Sequence, residues 1–187
     1  MPRLILASAS LRRAELLRFA GYQFSVAVPD VDEAVQPQET PEAYVLRLAR
    51  DKARHVAGRS ETGSVVLGAD TTVVAAGEIL GKPANDLDAV RMLRMLAGTV
   101  HEVLTGVAAL ADGREKAEVA RTRVHFLPLS LEEIQWYVGT GEPAGKAGAY
   151  AIQGRASRFI DWIDGSWSNV VGLPVATVAR MLRDFGA

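Results

Sequence analysis

The sequence predicts a mixed-sheet α/β domain, and three observations carry that expectation. The chain opens as a strand, a loop and a helix. Segments with helical spacing of apolar residues alternate with short apolar runs along its length. The dipeptide Asp112-Gly113 joins two apolar-rich segments, a two-residue signal for an antiparallel hairpin.

Leu4-Ile5-Leu6-Ala7 reads as a short buried strand. Arg12 to Ala20 reads as a helix with Leu16, Leu17 and Ala20 on one face and Gly21 as its stop. The small polar turn Ser8-Ala9-Ser10 lies between them. Thr40 as N-cap and Pro41 at the first helical position open a helix that runs to about Val56. Ser64 to Ala69 reads as a buried strand ending at Asp70, with Thr72 to Ala76 as its continuation or its partner. Asp86 to Leu96 is a helix with Ala89, Met92, Leu93 and Leu96 aligned. Val103 to Leu110 and Glu115 to Phe126 are the hairpin arms. Ser130-Leu131-Glu132-Glu133 is a capping box. A glycine-rich loop region follows from Gly139 to Gly154, then a strand over Arg158 to Ile163. Pro174 to Phe185 is a closing helix with Val175, Val178, Ala179 and Leu182 on one side. No repeat, low-complexity tract or long linker interrupts this order, so a single domain over 1–187 is expected.

Composition narrows the function classes. There are 187 residues, 49% of them hydrophobic, enough to form a core without a disulfide or structural metal. With no cysteine, a disulfide framework and thiol chemistry are excluded and a reducing compartment is allowed. Twenty-one basic against 22 acidic side chains give a net charge of −1, which argues against a duplex-DNA binder. The apolar run at the N-terminus is too short for a signal segment, and no run approaches a membrane span. The cytoplasm is the expected compartment, with neither nucleic acid nor membrane as partner.

Two familiar nucleotide motifs fail. No Gly-Lys-Ser/Thr phosphate loop exists. Gly139-Thr140-Gly141-Glu142-Pro143-Ala144 follows a helix rather than a strand and is interrupted by proline. The Ser8–Arg13 loop is a better anion site. It offers backbone N–H groups and the positive end of a helix, with the Ser8 and Ser10 hydroxyls and the Arg12 and Arg13 guanidinium groups beside them. An ordinary helix cap with solvated arginines fits the same residues. Lys52 falls on the apolar stripe Val45, Leu48, Ala49, Ala53 and Val56, so it must meet an anion or reach water at the core edge. Asp70 follows a buried strand, where a carboxylate can hold Mg²⁺ or act as a base, or simply cap a turn. Lys82 sits in the rigid Gly81-Lys82-Pro83 turn. Asp30, Asp32 and Glu33 cluster after Pro29 and offer metal oxygens or a solvated loop. His55, His101 and His125 show no ligand spacing and are expected to be structural.

Together these segments resemble the Maf family of nucleotide pyrophosphatases over nearly the full chain. The carriers are Ser8-Ala9-Ser10-Leu11-Arg12-Arg13, Asp32-Glu33, Ala49-Arg50-Asp51-Lys52-Ala53, Gly68-Ala69-Asp70-Thr71, Leu80-Gly81-Lys82-Pro83, Lys146-Ala147-Gly148-Ala149-Tyr150, Ile152-Gln153-Gly154 and Gly165-Ser166-Trp167-Ser168-Asn169. The resemblance implies a mixed twisted sheet with flanking helices and a deep cleft between two lobes, similar to inosine triphosphate pyrophosphatases. It implies hydrolysis of a nucleoside triphosphate to the monophosphate and pyrophosphate, with a divalent cation, Mg²⁺ or Mn²⁺. Asp70 is then the proton acceptor, and Arg12, Thr71 and Gln153 mark the subgroup acting on dTTP and UTP. A sister subgroup prefers 7-methyl-GTP.

On this basis Ser8, Ser10, Arg13, Lys52 and Lys82 are expected to hold the phosphates, and Glu33 with Asp70 the metal. Gln153 matches uracil or thymine, its carbonyl accepting from N3–H and its NH₂ donating to O4; cytosine inverts both. A nucleotide-binding regulator of cell division is the alternative role, and a homodimer is allowed. The sequence departs from the family pattern at Leu11 (usually proline), Asn85 (often acidic), Gly145 (usually aspartate) and Ala151 (usually glycine). If the missing aspartate at 145 orders its loop or binds metal, slower turnover or a higher cation demand follows.

Overall fold

The structure is a computed structural model that describes residues 2–187. Seven strands are hydrogen-bonded in one mixed sheet, in the order β2-β1-β3-β5-β6-β7 with β4 added alongside β3. They are β1 (Leu4–Ala7), β2 (Ser25–Ala27), β3 (Val65–Ala75), β4 (Glu78–Leu80), β5 (Val100–Ala111), β6 (Arg114–Phe126) and β7 (Ile160–Asp164). The helices are α1 (Leu11–Phe19), α2 (Pro41–Ala57), α3 (Asp86–Leu96), α4 (Leu131–Gly139), α5 (Trp167–Val171) and α6 (Val175–Arg183). The chain divides into two compact units. The first comprises the residues up to Thr71 with Thr105–Ala120 and Gly172–Ala187; the second comprises Thr72–Leu104 and Arg121–Val171.

In the first unit, β1 pairs in parallel with β2 on one side and with β3 on the other, Ala7 standing opposite Gly68. β1 therefore stops while β3 runs on through Asp70. Thr40 caps α2 by accepting from the Ala43 N–H at 3.2 Å, and Pro41 takes the first position, where no N–H is needed. The helix buries Val45, Leu48, Ala49, Lys52, Ala53 and Val56. It lies directly on the sheet at two glycines. A Cβ on Gly68 would stand 2.2 Å from the Ala49 carbonyl oxygen, and one on Gly106 would stand 2.2 Å from that of Val45. This close approach brings Ala49 and Ala53 into one apolar cluster with Ile5, Ala7, Val66 and Ala108, and it sets where Lys52 emerges.

In the second unit, β4 folds back on β3 through Ala76 and Gly77, both at positive φ (49° and 79°), with Val73 opposite Leu80. Asn85 caps α3 by accepting from the Asp88 N–H at 3.0 Å. Asn85 therefore does the capping that an acidic residue would do. The Ser130–Glu133 capping box is formed in both directions. α3 packs on α4. Behind them lies an aromatic core in which Phe126 contacts His101, Tyr150 and Phe159, and Tyr137 stacks edge-on against Phe159.

Three details differ from the sequence expectation. Asp70 does not end its strand but sits within β3, because β4 gives the downstream residues a pairing partner. The strand expected over Arg158 to Ile163 is present as β7 but begins at Ile160, because Arg158 and Phe159 close a 3₁₀ turn over Arg155–Phe159. The short elements β2, β4 and α5 carry too few residues for any periodicity to show.

Candidate functional site

The loop after β1 is built around the buried Ser8. Its Oγ accepts the Ser10 N–H at 3.1 Å and a guanidinium N–H of Arg13 at 3.2 Å, leaving its own proton free to donate outward. Ser10 is the N-cap residue of α1, yet its side chain makes no capping bond. The first-turn N–H groups of Leu11, Arg12 and Arg13 are thus left for an outside acceptor, at the positive end of the helix. Leu11, where the family favours proline, is 77% exposed and sits at the first helical position, so any residue fits there and only the pre-set φ of proline is lost.

Arg13 is 9% exposed and commits four N–H donors to the protein. Nε donates to the Gly172 carbonyl at 2.8 Å, Nη1 to the Ala69 carbonyl at 2.8 Å and to Ser8, and Nη2 to Thr71 Oγ1 at 3.0 Å. The Thr71 hydroxyl also meets Thr105 Oγ1 at 2.9 Å and the Gly172 carbonyl at 3.2 Å. All of these acceptors are neutral, and no carboxylate among the described residues lies within ion-pair distance of Arg13. Burial lowers the pKa of this guanidinium, while the Asp70 charge acts to raise it. A buried cation without a contacting anion is costly unless a negative ligand arrives nearby. The loop donors and this charge together favour an anion. Arg12 is half-buried and has no hydrogen-bond or ion-pair partner among the described residues.

Lys52 and Asp70 are both buried, at 6% and 8% exposure. Lys52 Nζ donates to Asp70 Oδ1 at 2.6 Å and pairs with Glu33 Oε1, also at 2.6 Å. The inward lysine has therefore met two anions rather than water. Asp70 Oδ2 has no partner among the described residues and can accept from a water. Tyr44, about two helical turns before Lys52, has its pKa pushed up to about 12 by burial and by the negative charges of Asp70 and Glu33.

The two carboxylates converge on one cation, so their oxygens lie at most about 5 Å apart. Carboxylate oxygens are hard donors of the kind that suit a divalent cation such as Mg²⁺ or Mn²⁺. Among the described residues no group of three or more His, Cys, Asp or Glu could hold a metal by itself.

Glu33 lies on an irregular, exposed segment, and α2 reaches across to it. Tyr44 Oη donates to the Glu33 carbonyl at 3.0 Å, and Arg47 Nη2 donates to the Ala34 carbonyl at 3.0 Å. The Arg47 fork also grips Glu39 at 2.6 and 2.8 Å. Asp32 closes its own turn on the Ala34 N–H at 2.9 Å. Neither Tyr44 nor Arg47 was singled out from the sequence, since a tyrosine and an arginine on a helix carry no signal of a distant backbone acceptor.

The second unit holds Lys82 and Gln153. Both are exposed, with no hydrogen-bond or ion-pair partner among the described residues. The Gly81 carbonyl accepts from the Gly148 N–H at 3.1 Å, which ties the Lys82 turn to the Lys146–Ala149 segment. The loop carrying Gln153 is held by Glu142, which accepts from Tyr137 Oη at 2.8 Å, the Arg155 N–H at 3.0 Å and the Ala156 N–H at 3.3 Å. Burial pushes the Glu142 carboxyl upward, and these donors more than reverse that. A side chain on Gly154 would collide with this carboxylate at 2.4 Å. Gly145 has φ of 70° and open space around it, so its loop turns through a conformation that glycine adopts freely. Ala151, where the family has glycine, needs no positive φ. His101 is buried, meets Tyr150 Oη at 2.9 Å, and has its pKa lowered to about 4 by burial.

Comparison with known proteins adds to this geometry. The sequence profile of the family described as Maf-like protein matches residues 3–185. A dTTP/UTP pyrophosphatase of Anaeromyxobacter dehalogenans is 56% identical, over 99% of this chain and 95% of the relative. Those of Symbiobacterium thermophilum and Geobacter sulfurreducens are 54% and 53% identical, over 100% and 99% of this chain and 95% and 97% of theirs. Among solved structures, the Ham1 protein of Staphylococcus aureus shares the fold with a TM-score of 0.57 at 12% identity, over 97% of this chain and 98% of that one.

Proposed function

The chain belongs to the Maf family, and on that premise we propose that it is a nucleoside triphosphate pyrophosphatase that converts dTTP and UTP to the monophosphate and pyrophosphate. The observation that carries this reading is the buried Asp70, one oxygen held by Lys52 at 2.6 Å and the other free to take a water. The reaction is attack of that water on the α-phosphorus, with pyrophosphate leaving. Such a transition state asks the protein for positioning and charge stabilisation. Asp70 orients the water and takes its proton. Glu33 and Asp70 would hold the divalent cation, which would supply neutralisation of phosphate charge.

The free N–H groups of α1, the Ser8 and Ser10 hydroxyls and Lys82 bind phosphate oxygens in this reading. Arg13 supports them mainly by bracing the loop and by its charge, since only one of its five N–H donors is left for a ligand. Lys52 holds the two carboxylates and adds positive charge for the triphosphate. Arg12, Thr71 and Gln153 select the nucleotide. The Gln153 amide accepts from N3–H and donates to O4 of uracil or thymine, and cytosine mismatches both at a cost on the order of a few kcal/mol. Residues 1–187 act as one catalytic domain, working in the cytoplasm where free nucleotides are found. The expected role is removal of unwanted nucleotides from the pool.

Pyrophosphate release from dTTP, UTP, CTP, ITP and 7-methyl-GTP with Mg²⁺ or Mn²⁺ tests the proposal. Turnover of dTTP and UTP above the others supports it, and Gln153→Ala should then raise the relative use of CTP. Cleavage of 7-methyl-GTP or ITP with dTTP and UTP untouched refutes the specificity. Tight binding without product points to a regulator instead.

A further inference from the structure

The segment 28–40 contains no helix or strand and is largely exposed, yet its Glu33 carboxylate reaches Lys52 Nζ at 2.6 Å. Something must hold it there. Three side-chain contacts from α2 do so. Tyr44 Oη and Arg47 Nη2 bond the successive carbonyls of Glu33 and Ala34 at 3.0 Å each. Nε and the same Nη2 of Arg47 close on Glu39 at 2.6 and 2.8 Å, and Glu39 in turn accepts the Gln36 N–H at 3.0 Å. The pair is sheltered, with the side chains of Arg47 and Glu39 only 22% and 7% exposed. Tyr44 and Arg47 are three apart on the helix, so they share one face, and the guanidinium lies 5.7 Å from the Tyr44 ring. Eight residues after Tyr44, the same helix presents Lys52. One rigid element thus fixes both the backbone of Glu33 and the partner of its carboxylate.

We propose that Arg47, assisted by Tyr44, is a positioning residue that sets the affinity for the divalent cation by holding Glu33 beside Asp70. The fork is essential, because Nε and Nη2 hold both Glu39 oxygens side-on while Nη2 also donates to the Ala34 carbonyl, a planar geometry that a lysine ammonium does not reproduce. The inference rests on the reading that Glu33 is a metal ligand.

The test is Mn²⁺ binding to the full-length, nucleotide-free protein, followed by the electron paramagnetic resonance of the free ion. Arg47→Met is expected to weaken Mn²⁺ about 10-fold, the usual scale for a residue that orients a metal ligand. Arg47→Lys should recover little of that loss, and Tyr44→Phe, which removes one hydroxyl, should show a smaller loss. Combining Arg47→Met with Glu33→Ala should be no worse than Glu33→Ala alone. If Arg47→Met fails to fold, Tyr44→Phe and Arg47→Lys with Glu33→Ala complete the same cycle. The positioning role is overturned if Glu33→Ala weakens Mn²⁺ while the Arg47 and Tyr44 variants bind normally, if their losses multiply with it, or if Arg47→Lys binds like the wild type. Unchanged Mn²⁺ affinity in Glu33→Ala overturns the metal assignment of Glu33, and this inference with it.

Discussion

The two units treat their proposed site residues in opposite ways. In the first, Arg13, Lys52 and Asp70 are buried and bonded to protein atoms, Lys52 to two carboxylates and Arg13 to four neutral oxygens. In the second, Lys82 and Gln153 are exposed and unpartnered among the described residues. Buried, mutually bonded groups cannot move without leaving a charge or carbonyl unsatisfied. They are arranged before any ligand arrives. Exposed groups without protein partners carry little of the stability. The contrast predicts that first-unit substitutions change chemistry and stability together, whereas second-unit substitutions change binding alone.

The largest effect is expected at Asp70. Asp70→Asn keeps an acceptor for Lys52 but loses the base, and pyrophosphate release should fall about 10³-fold. Near-normal turnover would remove Asp70 from that role. Next is Arg13→Met, which takes the guanidinium donor from the Ala69 carbonyl and leaves the Gly172 carbonyl only the Thr71 hydroxyl. Urea unfolding should show a loss of about 1 to 3 kcal/mol. A loss well under 1 kcal/mol would mean that Arg13 is a ligand group and not a brace, and would erase the contrast.

His101 sharpens the comparison by showing that the second unit also has a committed interior. Its pKa, about 4 when folded, lies below the ordinary 6.5 because burial disfavours the charged form. The unfolded chain takes up a proton first as pH falls. Stability from the neutral imidazole is therefore complete above pH 6.5 and is lost between about 6.5 and 4, by about 3 kcal/mol in all. Unfolding midpoints measured across that range should fall less steeply in His101→Gln than in the wild type; equal slopes would refute the assignment. The smallest effect on the fold is expected from Lys82→Ala, which should raise KM for the nucleotide about 10-fold while shifting stability by less than about 0.5 kcal/mol. A large stability loss there would break the contrast from the other side.

Much of the frame was readable along the chain, because its signals are local. Thr40-Pro41, the Ser130–Glu133 box and Asp112-Gly113 each specify a cap or turn through bonds within four residues, and each appears where expected. The turn at Ala76-Gly77 was missed because alanine rarely takes positive φ and so does not announce a hairpin. The same limit separates the site residues. The apolar stripe on α2 placed Lys52 inward, but not its partners, and the paired arginines gave no sign that one would be buried.

The sequence by itself determined the order of elements, the inward turn of Lys52, and a family pattern that picks out the loop after β1, Asp70 and Gln153. Only the tertiary structure decided what those groups touch. Gly68 and Gly106 let α2 lie on the sheet, and the backbone acceptors of residues 69 and 172 capture Arg13. Hydrogen-bond partners 56 and 159 residues apart in the chain leave no periodic trace in it, because their meeting depends on how the packed elements cross rather than on any local preference.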